Sequence, residues 1–557
     1  MPVIKLFYED LEALTGVSIE KIKERLPLMC ADVERTEAEY MDVEFFPNRP
    51  DLFSVEGVSR ALKQFLDIET GLVTYEVAKS GIEMVVEPSV LEVRPYLVCG
   101  VVRNVQFDSM AIESLMLLQE HLHRGIGRNR AKVSVGVHDL AGVKPPFRYL
   151  AVDPSFSFVP LDFEEEMSMA EILERHPKGI GFRYILEGKA KYPLIQDCEG
   201  KTLSFPPIIN AERTRVTEST TDIFIEVTGL NESVSRALNI IACALADRGG
   251  QIQSVMLRFP GDKSGEQKET PRFEIKTKEI SVKEVTSLTG IDLSVEDCKK
   301  CCERMGLGAK AKTEGMLEVQ IPAYRYDILH TWDIIEDIAI GYGYDRIKPV
   351  IPGTMLIGEA HPIEERNRTV REIMTGLGYF EVLTFTLTSE RKQFELMQRE
   401  RLKVAKRFDQ TFSEFAVKVA SPISSEHTML RCSIMPNLLE ILSFNKHRDL
   451  PQRIFEVGPI VLNLKEEYRL AGISTHATAN FAEVKSVVDT VLNELGWEAA
   501  EVVMSEDMAF LEGRRADILL ENKFIGVFGE LHPEVILNFG LSYPVVGFEI
   551  SISKVIV

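Results

Sequence analysis

Asp333, Glu336 and Asp337 stand at i, i+3 and i+4 in TWDIIEDIAIGYG, a segment of helical periodicity, so one helix face carries three carboxylates, with Asp327 just upstream. Hard oxygen donors gathered in this way suit Mg²⁺, which takes one or two carboxylates and keeps several waters. Acidic residues in a first turn also complement the helix dipole and keep a face hydrated, so spacing alone leaves both readings open. A second concentration of charge is basic: Arg124, Arg128, Arg130 and Lys132 lie in HRGIGRNRAK with no acid among them. The whole chain has 64 basic against 85 acidic residues, a formal charge of −21. Such a chain repels phosphate backbones on average, so nucleic-acid contact must come from a local patch of this kind or from a partner subunit. A hydrated loop, or a surface docking an acidic protein, fits the same run.

Other chemistries have no residues to carry them. G-x-S-x-G, H-E-x-x-H and G-x-x-x-x-G-K-[ST] are absent, and Gly125-Ile-Gly127 lacks the third glycine and the preceding strand of a dinucleotide loop. Eight cysteines form no disulfide framework; Cys298, Cys301 and Cys302 cluster inside a helical pattern with no second pair and no nearby histidine, which argues against zinc. His138 and His532 read as structural or capping groups. LSFPPIIN (203–210) and TESTTDIFIEVTG (217–229) set a Pro-Pro break beside a strand of small hydroxyls and acids, which either lines a pocket or forms the exposed face of a sheet.

The elements that would position these residues show an internal repeat. Leu14-Thr-Gly16-Val17 precedes SIEKIKERLPLM, a strand-like VEFFP and Arg49-Pro-Asp51-Leu52 leading into SVEGVSRAL. Leu288-Thr-Gly290-Ile291 precedes SVEDCKKCCERMGL, LEVQIP and Arg325-Tyr-Asp327-Ile328 leading into IIEDIAIGYG, at offsets of 274 and 276 residues. One small module is thus predicted twice: helix, glycine turn, second helix capped by Ser18 or Ser294, strand, and a sharp turn into a third helix. By the 276 offset, Asp51 matches Asp327, whereas Gly57, Arg60 and Ala61 stand where the second copy has its three carboxylates. The two shared aspartates are expected to be caps, and the other three an addition in one copy. The expected domains are a helical first module over 1–84, a mixed α/β domain over 85–265, the second copy with its acidic helix over 272–347, and an antiparallel sheet flanked by helices over 348–557. Each is long enough to bury its own core. No apolar run reaches the ~20 residues of a membrane span, and MPVIKLFYEDLEAL carries Glu9, Asp10 and Glu12 where a signal peptide is apolar, which places the chain in the cytoplasm.

FPNRPDLFSVEGVSRAL, GRNRAKVSVGVHDL, LSFPPIIN, YRYDILHTWDIIEDIAIGYGYDRI, and SPISSEHTMLRCSIMPNLLEIL followed by RIFEVG together resemble the β subunits of phenylalanyl-tRNA synthetases of the archaeal and eukaryotic type, in the same order and over essentially the whole chain. The resemblance implies a multidomain α+β chain. It would have duplicated helix-turn-helix-like modules, a mixed α/β editing-type domain, and a class II synthetase-like but non-catalytic sheet domain. It implies an (αβ)₂ enzyme that charges tRNA(Phe) using ATP, with the aminoacylation site on the α subunit. Arg453-Ile-Phe-Glu456 echoes the class II strand in which an arginine holds the α-phosphate and a glutamate the adenine, while a later glycine-rich phosphate segment is recognisable only as the nearby Arg514 and Arg515. The middle domain would hydrolyse mischarged Tyr-tRNA, with Ser204, Glu226 and Thr228 in its pocket and Arg124, Arg128, Arg130 and Lys132 guiding the RNA. Asp327, Asp333, Glu336 and Asp337 would bind Mg²⁺ together with the partner. Relative to bacterial members, no N-terminal tRNA-binding barrel and no C-terminal anticodon-binding domain is expected. The alternative is a free-standing tRNA-binding or trans-editing protein, and partner dependence separates the two.

Overall fold

The computed structural model describes residues 2–259, 267–313, 315–354, 356–400 and 415–553. The chain divides into two units, Met1–Ile351 and Pro352–Val557. Among the described residues no helix is long and apolar enough to cross a membrane.

In the first unit the repeat is real, but its modules are not all-helical. The first runs as strand Val3–Phe7, helices Tyr8–Thr15 and Ile19–Arg25, strands Ala31–Thr36 and Tyr40–Phe45, and helix Val55–Phe65. The second runs as strand Lys276–Ser281, helices Val282–Thr289 and Val295–Arg304, strands Gly308–Thr313 and Met316–Ile321, and helix Thr331–Tyr342. In each, the three strands form an antiparallel sheet with the last strand central. The first strand of each copy runs directly into its helix without an intervening Gly or Pro and so escapes a reading based on turn signals. Once paired, their alternation is plain: Tyr40–Phe45 and Met316–Ile321 bury every second residue. Gly16 and Gly290 end the first helices of the two copies at φ 71° and 70°, each donating its amide to the last helical turn.

Capping differs from expectation. Ser294 forms a full capping box with Asp297, but Ser18 makes no side-chain cap, and the Ile19 amide beside it donates to Glu12 Oε1 at 2.7 Å. Asp51 and Asp327 are not caps either. Helix Val55–Phe65 is capped by Ser54, whose hydroxyl accepts from the Gly57 amide, and helix Thr331–Tyr342 by His330 and Asp333. Each aspartate is instead clasped bidentately by the arginine two residues before it, Arg49 or Arg325.

The domain between the copies is one ten-stranded sheet. It takes in strand Ala78–Val86, so the expected edge at 84 cuts a strand that pairs in parallel with Gln251–Arg258 and Phe147–Val152. Strand Gln267–Thr270 also joins the sheet, beyond the expected edge at 265, a position outside the described residues. Helix Ser233–Asp247 packs against this sheet and helix Val55–Phe65 of the first module. Three ion pairs fasten the module there: Arg60 to Asp247, and Arg248 to Asp10 and to Glu56. Cys298, Cys301 and Cys302 are core residues of the second module, and burial pushes the Cys298 thiol up to about 11 and Cys302 well above its ordinary range.

The second unit is a seven-stranded sheet, antiparallel except where edge strand Phe380–Glu381 pairs in parallel with Gln452–Leu462. Helices Pro362–Gly376 and Phe481–Glu494 share one core with Phe455, Val457 and Phe528. Helices Met435–Phe444 and Pro533–Asn538 share the other with Ile454, Ile460 and Val527. The expectation of an antiparallel sheet flanked by helices matches this architecture.

Candidate functional site

Strand Ile223–Gly229 lies between Tyr96–Arg103 and Val133–Asp139, fully paired on both edges and entirely buried. Ile223, Ile225 and Val227 enter the helix-side core, which turns Phe224, Glu226 and Thr228 to the opposite face. Glu226 is thus a carboxylate at 2% exposure in the middle of a sheet. Ser204 Oγ donates to its Oε1 at 3.0 Å, while Oε2 has no hydrogen-bond partner. A buried charged oxygen left open is costly and marks a place where a ligand group or water belongs. Gly136 faces Glu226 across the pairing; a Cβ there would lie 2.3 Å from Oε1, so glycine makes the room that the carboxylate fills. His138, fully buried two residues further on, holds Thr214 Oγ1 at 2.9 Å through Nδ1. Its Nε2 is 3.9 Å from Glu226 Oε1 and has no hydrogen-bond partner. His138, expected to be structural, therefore belongs beside the pocket; its period-2 relation to Gly136 was visible in VSVGVHD, but nothing in the sequence paired that strand with IFIEVTG.

Glu226 opens onto a cavity of about 340 Å³ whose walls include Ser134, His123, Arg130, Phe205 and Thr214. This volume lies at the lower end of small-ligand pockets. Ser204 supports Glu226 without being a lining residue. Thr228 lies on the same face but is engaged elsewhere, its hydroxyl accepting from Arg94 Nε at 2.9 Å, so it does not line the pocket.

The basic run divides as well. Arg124, Arg128 and Lys132 are exposed. Arg130 is buried at 8%, bonded to Glu120 at 2.7 Å and to the Ile208 carbonyl at 2.9 Å, with its guanidinium over the Phe182 ring. It is a wall of the cavity rather than a surface RNA contact. The run turns on three consecutive left-handed residues, Arg128, Asn129 and Arg130, at φ 48°, 54° and 65°. For residues with a Cβ this conformation costs roughly 1–2 kcal/mol each and persists only where surroundings enforce it.

The four carboxylates of the second module are not brought together as a metal cage; among the described residues no three His, Cys, Asp or Glu side chains are so placed. Arg325 Nη2 lies 2.6 Å from Asp327 and 2.7 Å from Asp337, with all three side chains buried. Against the penalty of burial, these carboxylates hold the Arg325 guanidinium well above its usual pKa. Asp333 Oδ2 accepts the Leu329 and His330 amides at 2.7 and 2.6 Å. Glu336 alone of the four is exposed. Asp327 and Asp337 are therefore neutralised by an arginine and do not fit a hard cation. Glu336 and the outer oxygen of Asp333 do, as the one or two carboxylates Mg²⁺ takes beside its waters.

In the second unit, Arg453 and Glu456 are three residues apart on strand Gln452–Leu462, and an odd separation puts them on opposite faces. Arg453 reaches Glu483 on one side, while Glu456 is buried on the other against Arg431 Nη1 at 2.7 Å and Thr384 Oγ1 at 2.6 Å. The two cannot hold one nucleotide together. Arg514 bonds Glu530, and Arg515 the backbone carbonyls of Asp507 and Phe510.

Residues 347–552 match the family model of the phenylalanyl-tRNA synthetase beta chain CLM domain, 278–344 that of the tRNA synthetase B5 domain, and 129–244 that of the B3/4 domain. The phenylalanine–tRNA ligase beta subunit of Methanosarcina barkeri is 54% identical, with 100% of this chain and 99% of that one covered. Its namesake from Archaeoglobus fulgidus is 50% identical over 99% and 98%. The crystal structure of an N-terminal fragment of the Pyrococcus horikoshii phenylalanyl-tRNA synthetase beta subunit aligns at a TM-score of 0.59 and 36% identity, covering 61% of this chain and 99% of that one. With relatives of this identity spanning its whole length, and the repeat and buried-carboxylate pocket at its centre, the chain belongs to the family of phenylalanine–tRNA ligase beta subunits.

Proposed function

We propose that this chain completes a phenylalanine–tRNA ligase, with the amino-acid activation site on an α partner, and that its middle domain hydrolyses tyrosine misattached to tRNA(Phe). The observation that carries the second part is the buried Glu226 carboxylate, with one oxygen unpaired, opening on a cavity of about 340 Å³. A pocket built for phenylalanine rejects the one-hydroxyl-larger tyrosine only about a hundredfold, so accuracy requires a second, hydrolytic site. Glu226 Oε2 would accept the tyrosine hydroxyl. Phenylalanine would leave that oxygen desolvated and unpaired, which disfavours the correct product. The aminoacyl ester is already activated, so the site need only orient a water, for which His138 Nε2 and Thr214 are at hand. Arg124, Arg128 and Lys132 would meet phosphates of the acceptor arm.

We read the assembly as an (αβ)₂ enzyme in the cytoplasm; what supports a partner is the second unit, where Phe380 on the edge strand and Leu383 and Phe385 just after it expose 77, 81 and 79% of their surface. Side chains of this size left in water on an edge call for a partner, and the α subunit is the occupant that this reading supplies. Mg²⁺, the enzyme's cation, would be held on this chain by Asp333 and Glu336 with ligands from that partner, and supplies charge neutralisation there. The test is deacylation of Tyr-tRNA by the assembled enzyme. Glu226→Ala should lower kcat/KM about 10- to 100-fold, the worth of a hydrogen bond to a charged group, and leave aminoacylation unchanged. Equal hydrolysis by the variant would remove Glu226 from the site.

A further inference from the structure

Arg94 and Arg431 are the largest side chains buried below 2% among the described residues; Arg431 is paired with Glu456, whereas no carboxylate lies within ion-pair distance of Arg94, at 1% exposure. Buried arginines are ordinarily paired, because the guanidinium keeps its charge and loses its water. Here all three nitrogens are spent on two pieces of chain. Nε donates to Thr228 Oγ1 at 2.9 Å and Nη2 to the Thr228 carbonyl at 2.9 Å, while Nη2 and Nη1 donate to the carbonyls of Arg130 and Ala131 at 3.1 Å each. Thr228 is two residues from Glu226 on the same strand face. Arg130 closes the left-handed run 128–130 and forms a wall of the cavity. Tyr149 fixes Arg94 in turn by donating to its carbonyl at 2.8 Å.

We infer that Arg94 is a positioning residue of the hydrolytic pocket, locking the Arg128–Arg130 wall to the Glu226 strand without itself bonding the Glu226 carboxylate, which keeps an oxygen free for the ligand. A lysine has no fork to span both segments, and a carboxylate clasped directly by an arginine has fewer lone pairs left to accept a hydroxyl. An arginine one step removed satisfies both needs. The groups that face Glu226 are Ser204, His138 and Gly136 on one side and Cys99 on the paired strand, with His123, Arg130 and Lys178 among the walls of the same cavity.

This inference rests on the hydrolytic reading. The experiment compares wild type, Arg94→Lys and Arg94→Met as assembled enzyme, following Tyr-tRNA deacylation, aminoacylation, and tryptic cleavage after Arg128 and Arg130. Arg94→Met should lower deacylation kcat at least tenfold with KM within twofold. Its 128–130 segment should be cut at least tenfold faster, while aminoacylation stays within twofold. Arg94→Lys, which keeps the charge without the fork, should show the same losses. A wild type inert to Tyr-tRNA would overturn the hydrolytic reading and this inference with it. An active wild type matched by either variant, or variants that lose deacylation with the 128–130 segment cut at the wild-type rate, would overturn the inference alone.

Discussion

Replacing Asp337 separates a structural role for the acidic helix from a metal-binding one. Its carboxylate lies 2.7 Å from Arg325 Nη2, and the two side chains are 5% and 1% exposed. Removing one partner of a buried ion pair costs about 3–5 kcal/mol because it strands the other charge. Asp327 remains bidentate on the same guanidinium, so Asp337→Ala should fall at the lower end, about 3 kcal/mol. Glu336 is exposed, and Glu336→Gln should stay within about 0.5 kcal/mol of wild type. The measurement is unfolding of each full-length variant, alone and with the partner, in chelator and in millimolar Mg²⁺. Asp337→Ala should lose the same stability in both conditions. Glu336→Gln should keep its stability and lose only the Mg²⁺-dependent part of partner association. If Asp337→Ala melts like wild type in chelator and loses a Mg²⁺-dependent increment that wild type has, Asp337 is a ligand and the arginine clasp does not set its role.

Two further outcomes follow from the same geometry. Phe385→Ser with Leu383→Ser should weaken association with the α partner by about 2–4 kcal/mol, roughly 30- to 1,000-fold, as expected for large apolar anchors at an interface core, with the isolated chain equally stable; sizing at declining concentration reads it. His123 has its pKa lowered by burial and by Arg130, and its Nε2 accepts the Val135 amide at 2.9 Å. The unfolded chain therefore takes up that proton first, so stability should be full above about pH 6.5 and fall as pH drops from there toward the lower folded value, and His123→Gln should flatten that limb in melts at pH 7.5 and 5.5.

What the sequence disclosed depended on whether a residue's role was local. Gly16 and Gly290 are needed for left-handed helix ends, so the same L-T-G turn recurs in both copies and exposed the duplication. Ser294 with Asp297 is a capping box legible in four residues, whereas Ser18 makes no such bond and has Lys21, not an acid, at the third helical position. The period of two along a strand is enough to separate Arg453 from Glu456, since three steps reverse the face. The pocket was half visible: Glu226 and Ser204 stand out among the polar residues of their strands, but Thr228 turns to Arg94, 134 residues away, and Arg130 turns inward to Glu120. Only the strand register reveals such partners, and a run of basic letters cannot distinguish an inward guanidinium from three outward ones.

The duplication also bears on the carboxylate that only one copy has. Each module carries its own Arg-x-Asp clasp, and the fold sets the two clasps close enough that Arg49 feels both Arg325, which lowers its pKa, and Asp327, which raises it. Arg60, the first copy's counterpart of Glu336, adds to the positive field on Asp51. Two arginines thus meet two aspartates in one buried place, each clasp close to neutral by itself. Asp337 adds a third carboxylate there, bonded to Arg325 and within the field of Arg49. Its counterpart is Ala61, and Arg60 beside it pairs with Asp247. The asymmetry that made these carboxylates look like a metal site therefore has separate origins: Asp337 bonds the second copy's own Arg325, Asp333 caps its helix through the Leu329 and His330 amides, and Glu336 alone is left exposed.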